Sequence, residues 1–279
     1  MIIIVDATNV AHISKHAFPR LKSEKQLTGV IYGFLNFIIS AGIKYETKKF
    51  VFCWDGPGSR RREMFSGYKS RRVQSKDKID FDVIRQFDQV RREILPKIGF
   101  KNVPWQPTYE ADDLIAKIVM KYYQAYPLLV VSGDSDLWQL LSYCDIYSPQ
   151  TKKTMTKSRF KSRYKIEPKD WAQVKAIAGC KTDDIPGILK VGEKRAIDYM
   201  TGAHLSEGLM KRINDGEKRI RRNKVLTTLP LQGTANMELD FSNEDFCLDN
   251  FIEICEEYSL YSMLKSPTYI NWIRVFSMR

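Results

Sequence analysis

The sequence predicts an α/β fold in which helices flank a mostly parallel central sheet, followed by a smaller helical region. Three short β-rich runs, at 2–5, 50–54 and 128–132, alternate with segments of helical periodicity. That alternation is typical of a parallel sheet whose strands are joined by helices. After about residue 165 the β-rich signal fades, and turn residues separate short helical segments. We therefore expect an α/β core over residues 1–165 and a helical region over residues 166–279.

Two helices of the core are predicted from the spacing of apolar residues. Apolar side chains recur every three or four positions from residue 83 to 98 and again from 114 to 122. This spacing places them on one face of each helix, which can pack on the sheet. In the C-terminal region, Pro168 stands where a further helix can begin, and Gly187 and Gly192 indicate turns.

Composition indicates a protein that folds without disulfides or structural zinc. The chain has 279 residues and is 43% hydrophobic, which suits one large domain or two unequal ones. Its five cysteines have no CxxC spacing, so we expect reduced thiols. The N-terminus has no basic leader, and the longest apolar run, within residues 30–43, is too short to cross a bilayer. We expect a cytoplasmic, monomeric protein with no membrane partner.

The charge distribution points to a polyanionic partner. Forty-five Lys and Arg against 33 Asp and Glu give a net charge of +12, and residues 238–257 contain acids but no base. The bases concentrate in three stretches, at 60–72, 152–169 and 211–224. Any one of them has the composition of an ordinary solvated face. Three in a chain that also has an acid-rich site favour nucleic acid binding.

Acidic residues follow each predicted strand. Asp6 ends the first run, Asp55 follows the second, and Asp134 and Asp136 follow the third. Functional groups gather at the carboxyl ends of the strands in an open parallel sheet, so we expect these side chains to converge. Two further groups begin predicted helices: Glu110, Asp112 and Asp113 in one, and Asp183 and Asp184 in the other.

Two interpretations of these acids are open. Acids at helix starts often cap free N–H groups, and this explains any single group. The complete set, gathered at one sheet edge, would be strongly self-repelling without bound cations. Hard oxygen ligands without His or Cys partners indicate Mg²⁺ or Mn²⁺. Two such ions can activate a water molecule for the hydrolysis of a phosphodiester. We therefore predict phosphodiester hydrolysis.

Six short motifs occur in an order and at spacings that resemble those of a known family. They are VDATN at 5–9, WDG at 54–56, GYK at 67–69, YEADD at 109–113, GDSDL at 133–137 and DDIPG at 183–187. Together they resemble the 5′ nuclease family, which includes flap endonucleases, phage 5′–3′ exonucleases and the N-terminal nuclease domain of bacterial DNA polymerase I. The resemblance implies a PIN-like nuclease core with a helical arch, and a C-terminal helix-turn-helix region that binds duplex DNA.

The resemblance also implies roles for the acids. Asp6, Asp55, Glu110, Asp112 and Asp113 would serve one metal position, and Asp134, Asp136 and Asp183 its neighbour. Two Mg²⁺ ions are expected, with Mn²⁺ able to substitute, and K⁺ is expected at the helix-turn-helix motif. The cell implied is a bacterium or a phage-infected host.

Basic and aromatic residues acquire implied roles in the same way. Tyr68 would stack, and Lys69 would stabilise charge, at the scissile phosphate. Residues 70–99 would form the arch over a single-stranded 5′ end, with phosphate contacts from Arg71, Arg72, Lys76 and Lys78. The segment 187–195 would hold one strand of the duplex through Lys190, Gly192, Lys194 and Arg195.

Four positions depart from the family pattern. Cys180 stands where relatives have an acid of the second metal position, and Asp184 stands where asparagine is usual. Either Asp184 moves inward to compensate, or the second ion binds weakly. Ile13 replaces a DNA-contacting arginine, and Lys190 replaces a turn glycine.

The function predicted is that of a structure-specific 5′ nuclease acting in replication, primer removal or repair. Its substrates would be branched, nicked or 5′-flapped DNA, or an RNA–DNA hybrid. A first alternative is a structure-specific DNA-binding protein whose second metal position, with Cys180, supports little turnover. A second is a PIN-type RNase, which would need the acids but not the 187–195 motif.

Overall fold

The computed structural model describes residues 1–24, 26–71, 81–241 and 246–277. Of the predicted DNA-contacting residues, Arg72, Lys76 and Lys78 lie outside these ranges.

A five-stranded sheet forms the centre of the protein. Its strands are β1 (Ile2–Asp6), β2 (Phe50–Cys53), β3 (Leu128–Val131), β4 (Asp145–Ser148) and β5 (Lys153–Met155), in the order β2-β1-β3-β4-β5. β1 is parallel to β2 and β3, β3 is parallel to β4, and only the β4–β5 pair is antiparallel. The mostly parallel sheet and its three predicted strands are confirmed.

Helices cover both faces of this sheet. The α-helices are α1 (Ala7–Ala17), α2 (Gly29–Tyr45), α3 (Arg60–Met64), α4 (Phe81–Gln89), α5 (Leu95–Lys97), α6 (Ala111–Tyr122), α7 (Lys157–Tyr164), α8 (Trp171–Ala178), α9 (Glu193–Thr201), α10 (Glu207–Asp215), α11 (Glu217–Thr227), α12 (Leu248–Glu257) and α13 (Thr268–Trp272). π-Helical turns span Val90–Ile94 and Ile273–Ser277, and 3-10 turns span Ser135–Leu140, Pro168–Asp170 and Tyr261–Leu264. A two-residue antiparallel ribbon pairs β6 (Gly179–Cys180) with β7 (Ile185–Pro186).

The sequence of β1 suits a strand that lies between two layers of helices. All five are buried, because alternate side chains enter different cores. Ile3 and Val5 join the core formed with α1, α2 and α4, whereas Ile2 and Ile4 join the core formed with α6, α8 and the Ser135–Leu140 turn. A continuous apolar run is therefore what this strand needs.

The C-terminal helices pack on the first of these cores. Trp272 and Phe276 contact each other with ring centroids 5.0 Å apart, and Phe276 lies 6.1 Å from Phe50 of β2. α8 and α11, in contrast, pack on the opposite face of the sheet. The division at residue 165 stays a prediction, and the last helices contact the α/β core.

The described part of the chain contains no helix that is both long enough and apolar enough to span a membrane. All five cysteines are free.

Candidate active site

The carboxyl ends of the parallel strands and the start of α6 surround an acidic cleft. Its lining residues are Asp6, Thr8, Asn9, His12, Asp55, Lys69, Glu110, Asp112, Asp134 and Asp183. Six of the eight predicted metal ligands are therefore brought together. Asp136 lies beside the cleft, near Asp183. Asp113 does not line the cleft, because its side chain is paired with Arg61.

Asp6 and Asp55 also accept hydrogen bonds from backbone N–H groups at helix starts, so the two interpretations of the sequence are compatible. Asp6 ends β1 and precedes α1, where its Oδ1 accepts from the N–H of Asn9 at 2.9 Å. Its Oδ2 accepts from the hydroxyl of Ser132 at 2.7 Å. Asp55 accepts from the N–H of Ala111 at 2.8 Å, which ties the end of β2 to the start of α6. These hydrogen bonds hold the carboxylates of Asp6 and Asp55 at the cleft.

Burial and mutual repulsion raise the pKa values of Asp6, Asp112 and Asp136. Burial, reinforced by Asp55 and Asp134, raises the pKa of Asp6 to about 7. Removal from bulk water, together with Asp134 and Asp6, holds the pKa of Asp112 well above its ordinary value. Burial and the charge of Asp134 raise the pKa of Asp136 to about 6. Cations placed among these groups would relieve this repulsion.

Lys69 supplies a positive charge on the side of Glu110. Its Nζ lies 2.7 Å from Oε1 of Glu110 and 3.7 Å from Oδ1 of Asp183. Lys69 has a φ of +49°, and its N–H donates to the carbonyl of Asp183 at 2.9 Å. Although burial favours the neutral acid, Lys69 and Arg61 lower the pKa of Glu110 below its ordinary value.

Tyr68 does not present its ring as a stacking surface in this structure, and that expectation is corrected. The side chain is 2% exposed and packs with Cys180, Ile185 and Leu226. Its hydroxyl lies 2.9 Å from Oε2 of Glu110, to which it donates. Tyr68 therefore orients a cleft carboxylate.

Asp113 also departs from its expected role. It is completely buried, and its two oxygens accept from Nη1 and Nη2 of Arg61 at 2.6 and 2.8 Å. Oδ1 accepts in addition from the N–H of Leu231 at 2.9 Å. Because its oxygens are used in this way, we replace the metal-ligand assignment of Asp113 with a structural one.

The second half of the cleft has a mixed set of groups. One ligand atom each from Asp136, Cys180 and Asp183 lie within 4.8 Å of one another. The Cys180 thiol lies 3.4 Å from Oδ2 of Asp183, to which it donates, and burial with the nearby acids raises its pKa to about 11. Lys175 places Nζ 3.2 Å from Oδ1 of Asp136.

Asp184 does not compensate for Cys180. Its side chain accepts from the N–H of Arg71 at 2.9 Å and from the Arg71 guanidinium. Of the two alternatives left open by the sequence, the inward movement of Asp184 is therefore not seen.

The two halves of the cleft differ in their fit to divalent ions. Asp6, Asp55, Glu110 and Asp112 provide only carboxylate oxygens, the donors that Mg²⁺ and Mn²⁺ prefer. In the second half, the soft sulfur of Cys180 stands beside the carboxylates of Asp136 and Asp183. The first position therefore fits a hard ion better than the second.

The four predicted duplex contacts lie in the turn between α8 and α9 and in the first turn of α9. Lys190 has a φ of +65°, which explains why a glycine suits this position. Its carbonyl accepts from Nη1 of Arg195 at 2.5 Å. Gly192 is the N-cap of α9, and Lys194 is exposed in the first turn of that helix. The DNA-binding role of this helix pair stays a prediction.

Sequence reasoning missed several residues of the site. Arg61 lies in a basic stretch, but no pattern singled out its buried pairing with Asp113. Lys175 lies on α8 in an otherwise apolar segment, so only the fold brings it to Asp136. Thr8 and His12 are four residues apart, so they project from the same face of α1, and both line the cleft.

This arrangement defines a class of protein with an α/β core and a carboxylate cleft that suits divalent ions. Residues 1–165 match the family model of the 5′–3′ exonuclease N-terminal resolvase-like domain. The chain therefore belongs to the 5′–3′ exonuclease family.

Individual relatives agree with this assignment. The chain is 29% identical over 258 residues to a 5′–3′ exonuclease of Aquifex aeolicus, covering 91% of this chain and 84% of the relative. It is 27% identical over 292 residues to the thermostable DNA polymerase I of Thermus aquaticus, covering 95% of this chain and 33% of the polymerase. The T5 5′-exonuclease, solved with divalent zinc ions, has the same fold, with a TM-score of 0.70 and 21% identity over 82% of this chain and 89% of that one.

Proposed function

We propose that this member of the family is a structure-specific 5′ nuclease that hydrolyses phosphodiesters in branched, nicked or 5′-flapped DNA. The observation that carries the proposal is the convergence of six carboxylates, three of them at or just after the ends of parallel strands, in one cleft that also contains Lys69. The 187–195 motif, proposed to bind duplex DNA, favours this function over a PIN-type RNase, which would need the acids but not that motif. RNA–DNA hybrids remain within the proposed substrate range.

Asp6, Asp55, Glu110 and Asp112 are the proposed ligands of a first Mg²⁺, for which Mn²⁺ can substitute. Asp134, Asp136 and Asp183 are the proposed ligands of a second, more weakly held ion. When bound, such ions activate water and neutralise charge in phosphodiester hydrolysis.

Lys69 is proposed to contact the scissile phosphate. Its ammonium group lies between Glu110 and Asp183, so it faces both halves of the cleft. Positive charge placed there stabilises the negative charge that develops on the phosphate oxygens. Tyr68 helps to hold Glu110 in position through the hydrogen bond of its hydroxyl.

Arg71, Lys190, Gly192, Lys194 and Arg195 are proposed to hold the DNA backbone, with K⁺ bound at the turn. Lys194 and Arg195 are exposed at the start of α9, where charged side chains and helix N–H groups suit phosphate. Arg71, Arg72, Lys76 and Lys78 belong to the segment proposed to cover the unpaired 5′ end. We propose that the protein acts in the cytoplasm as a monomer.

The test is cleavage of a labelled 5′-flap duplex by the wild type and by Asp112→Asn. Asp112 faces the cleft, and its removal takes away a carboxylate without touching the basic turn. We expect Mg²⁺-dependent cleavage by the wild type, cleavage reduced by at least about 100-fold in the variant, and similar DNA affinity in both.

The same assay separates the nuclease from its main rival. A wild type that binds the flap but does not cut it with Mg²⁺ or Mn²⁺ would favour the binding protein with an impaired second metal position. Equal cleavage by Asp112→Asn and the wild type would contradict the proposed first metal position.

A further inference from the structure

A basic groove lies between the turn at 187–192 and the junction of α10 and α11. It has a volume of about 680 Å³ and is lined by Ile188, Leu189, Arg212, Asp215, Gly216, Lys218, Arg219 and Arg222. Four cationic side chains therefore face one acid. The groove includes part of the basic stretch at 211–224. The proposed function gives this stretch no role.

The helix α11 divides its bases between two surfaces. Lys218 and Arg222 are four residues apart, so they project from the same face, and both line the groove. Arg221 projects from another face and lines a different cavity with Lys224. Nη2 of Arg221 lies 2.6 Å from Oε1 of Glu217, so its charge is already matched on the helix surface.

The groove and the turn form one continuous surface. Nη1 of Arg219 donates to the carbonyl of Gly187 at 3.0 Å. At Gly216 a Cβ atom would lie 2.2 Å from Cδ1 of Ile188, so the absence of a side chain lets the turn approach the helix junction closely. A duplex seated on the turn would therefore lie beside the groove.

Two further features suit a nucleic acid backbone. Arg222 is held in place by its stacking on the ring of Phe65 at 4.1 Å and by Oδ1 of Asn223 at 2.8 Å. Leu189 is 70% exposed at the edge of the groove, where an apolar side chain can contact deoxyribose. Positioned guanidinium groups bind phosphate without reading base sequence.

We propose that this groove binds the sugar-phosphate backbone of duplex DNA, extending the duplex contact beyond the turn at 187–192. The proposal rests on the proposed function, because the duplex is that of the nuclease substrate. The groove contributes affinity and orientation, and the chemistry stays in the carboxylate cleft.

The experiment measures the affinity of the wild-type chain and three variants for a fluorescent 5′-flap duplex. EDTA is present throughout, so that cleavage does not interfere, and the salt concentration is varied. Lys218→Ala and Arg212→Ala each remove a groove cation from an exposed position. Arg221→Ala removes the same type of charge from the other face of α11 and is the matched control.

We expect Lys218→Ala and Arg212→Ala to weaken binding roughly three- to tenfold, and to lower the slope of log affinity against log salt by about one each. Arg221→Ala should leave both quantities close to those of the wild type. The two groove variants should also lose less affinity on a duplex arm too short to extend past the turn.

Equal salt slopes and affinities for Lys218→Ala, Arg221→Ala and the wild type would overturn the proposal. Equal losses in all three variants would also overturn it, because they would indicate a general effect of net charge. Neither result would bear on the cleft, which is tested separately by cleavage with Asp112→Asn. Thermal unfolding of each variant verifies that the fold is intact.

Discussion

The neighbours Asp112 and Asp113 should respond in opposite ways to the same substitution. Asp113 is buried against Arg61, whose Nε donates in turn to the carbonyl of Leu226 at 2.8 Å. This ion pair and its contact with Leu226 join α3, α6 and the end of α11. Replacing Asp113 with asparagine keeps the shape of the side chain but removes the nearer acid of the buried Arg61, leaving Glu110 at 3.6 Å as its acidic neighbour.

The size of the effect follows from the burial of the pair. The side chains of Arg61 and Asp113 are 4% and 0% exposed, and breaking a buried pair on one side costs about 3–5 kcal/mol. Each kcal/mol lowers the unfolding midpoint by about 2–4 °C in a chain of roughly this size. We therefore expect Asp113→Asn to lower the midpoint by about 6–20 °C.

Asp112→Asn should instead leave the midpoint of the metal-free protein unchanged or slightly raised. Burial and the charges of Asp134 and Asp6 raise the pKa of Asp112, so its ionised form is disfavoured in the fold. A neutral asparagine removes that repulsion. The stability of Asp112→Asn is thus expected to persist while its cleavage is lost.

Thermal unfolding in EDTA, paired with flap cleavage well below both midpoints, tests this contrast. Asp113→Asn should retain metal-dependent cleavage with a half-saturating Mg²⁺ concentration close to that of the wild type. Our reasoning fails if Asp113→Asn unfolds like the wild type but needs much more Mg²⁺, since Asp113 would then act as a ligand.

Two other predictions concern the cleft. Cys180→Asp replaces a soft donor with a hard one, so the variant should need less Mg²⁺ for half-maximal cleavage than the wild type. With Mn²⁺, the difference in half-saturating metal concentration between the two proteins should be smaller. Identical titrations with both metals would contradict this role for Cys180. Lys69→Met should slow cleavage at saturating DNA by roughly 10²–10³-fold while changing affinity little, and an unchanged single-turnover rate would exclude the proposed phosphate contact.

The strands that carry the site were predictable because their sequences are constrained from both sides. Ile2 to Val5 is a continuous apolar run since each side chain enters one of two cores, and Asp6 interrupts the run where β1 meets the cleft. β4 and β5 were not predicted. They are four and three residues long, contain exposed or half-buried polar residues, and depend on neighbouring strands for their pairing.

The division of labour among the acids was not predictable from local sequence. Capping signals and metal-ligand signals look alike, and Asp6 satisfies both. Only tertiary contacts distinguish Asp112 from Asp113, because Arg61 lies 52 residues from its partner. In the same way, α12 and α13 join the core that contains Phe50 and Phe52 of β2 through contacts between distant parts of the chain.

The two acidic pairs of the cleft share one arrangement. In each pair, one acid faces the cleft and the other binds an arginine of the segment 60–71: Arg61 binds Asp113, and Arg71 binds Asp184. Lys69 lies within the same segment, and its own N–H donates to the carbonyl of Asp183. The two pairs therefore attach this segment to both halves of the cleft and hold the lysine between them.

The two ion pairs contribute differently to stability. The buried Arg61 pair stabilises the fold, whereas the Arg71 side chain is 70% exposed and its ion pair adds little to stability. Both ion pairs therefore help to orient Lys69. Of the two, the Arg61–Asp113 pair makes the larger contribution to the stability of the fold.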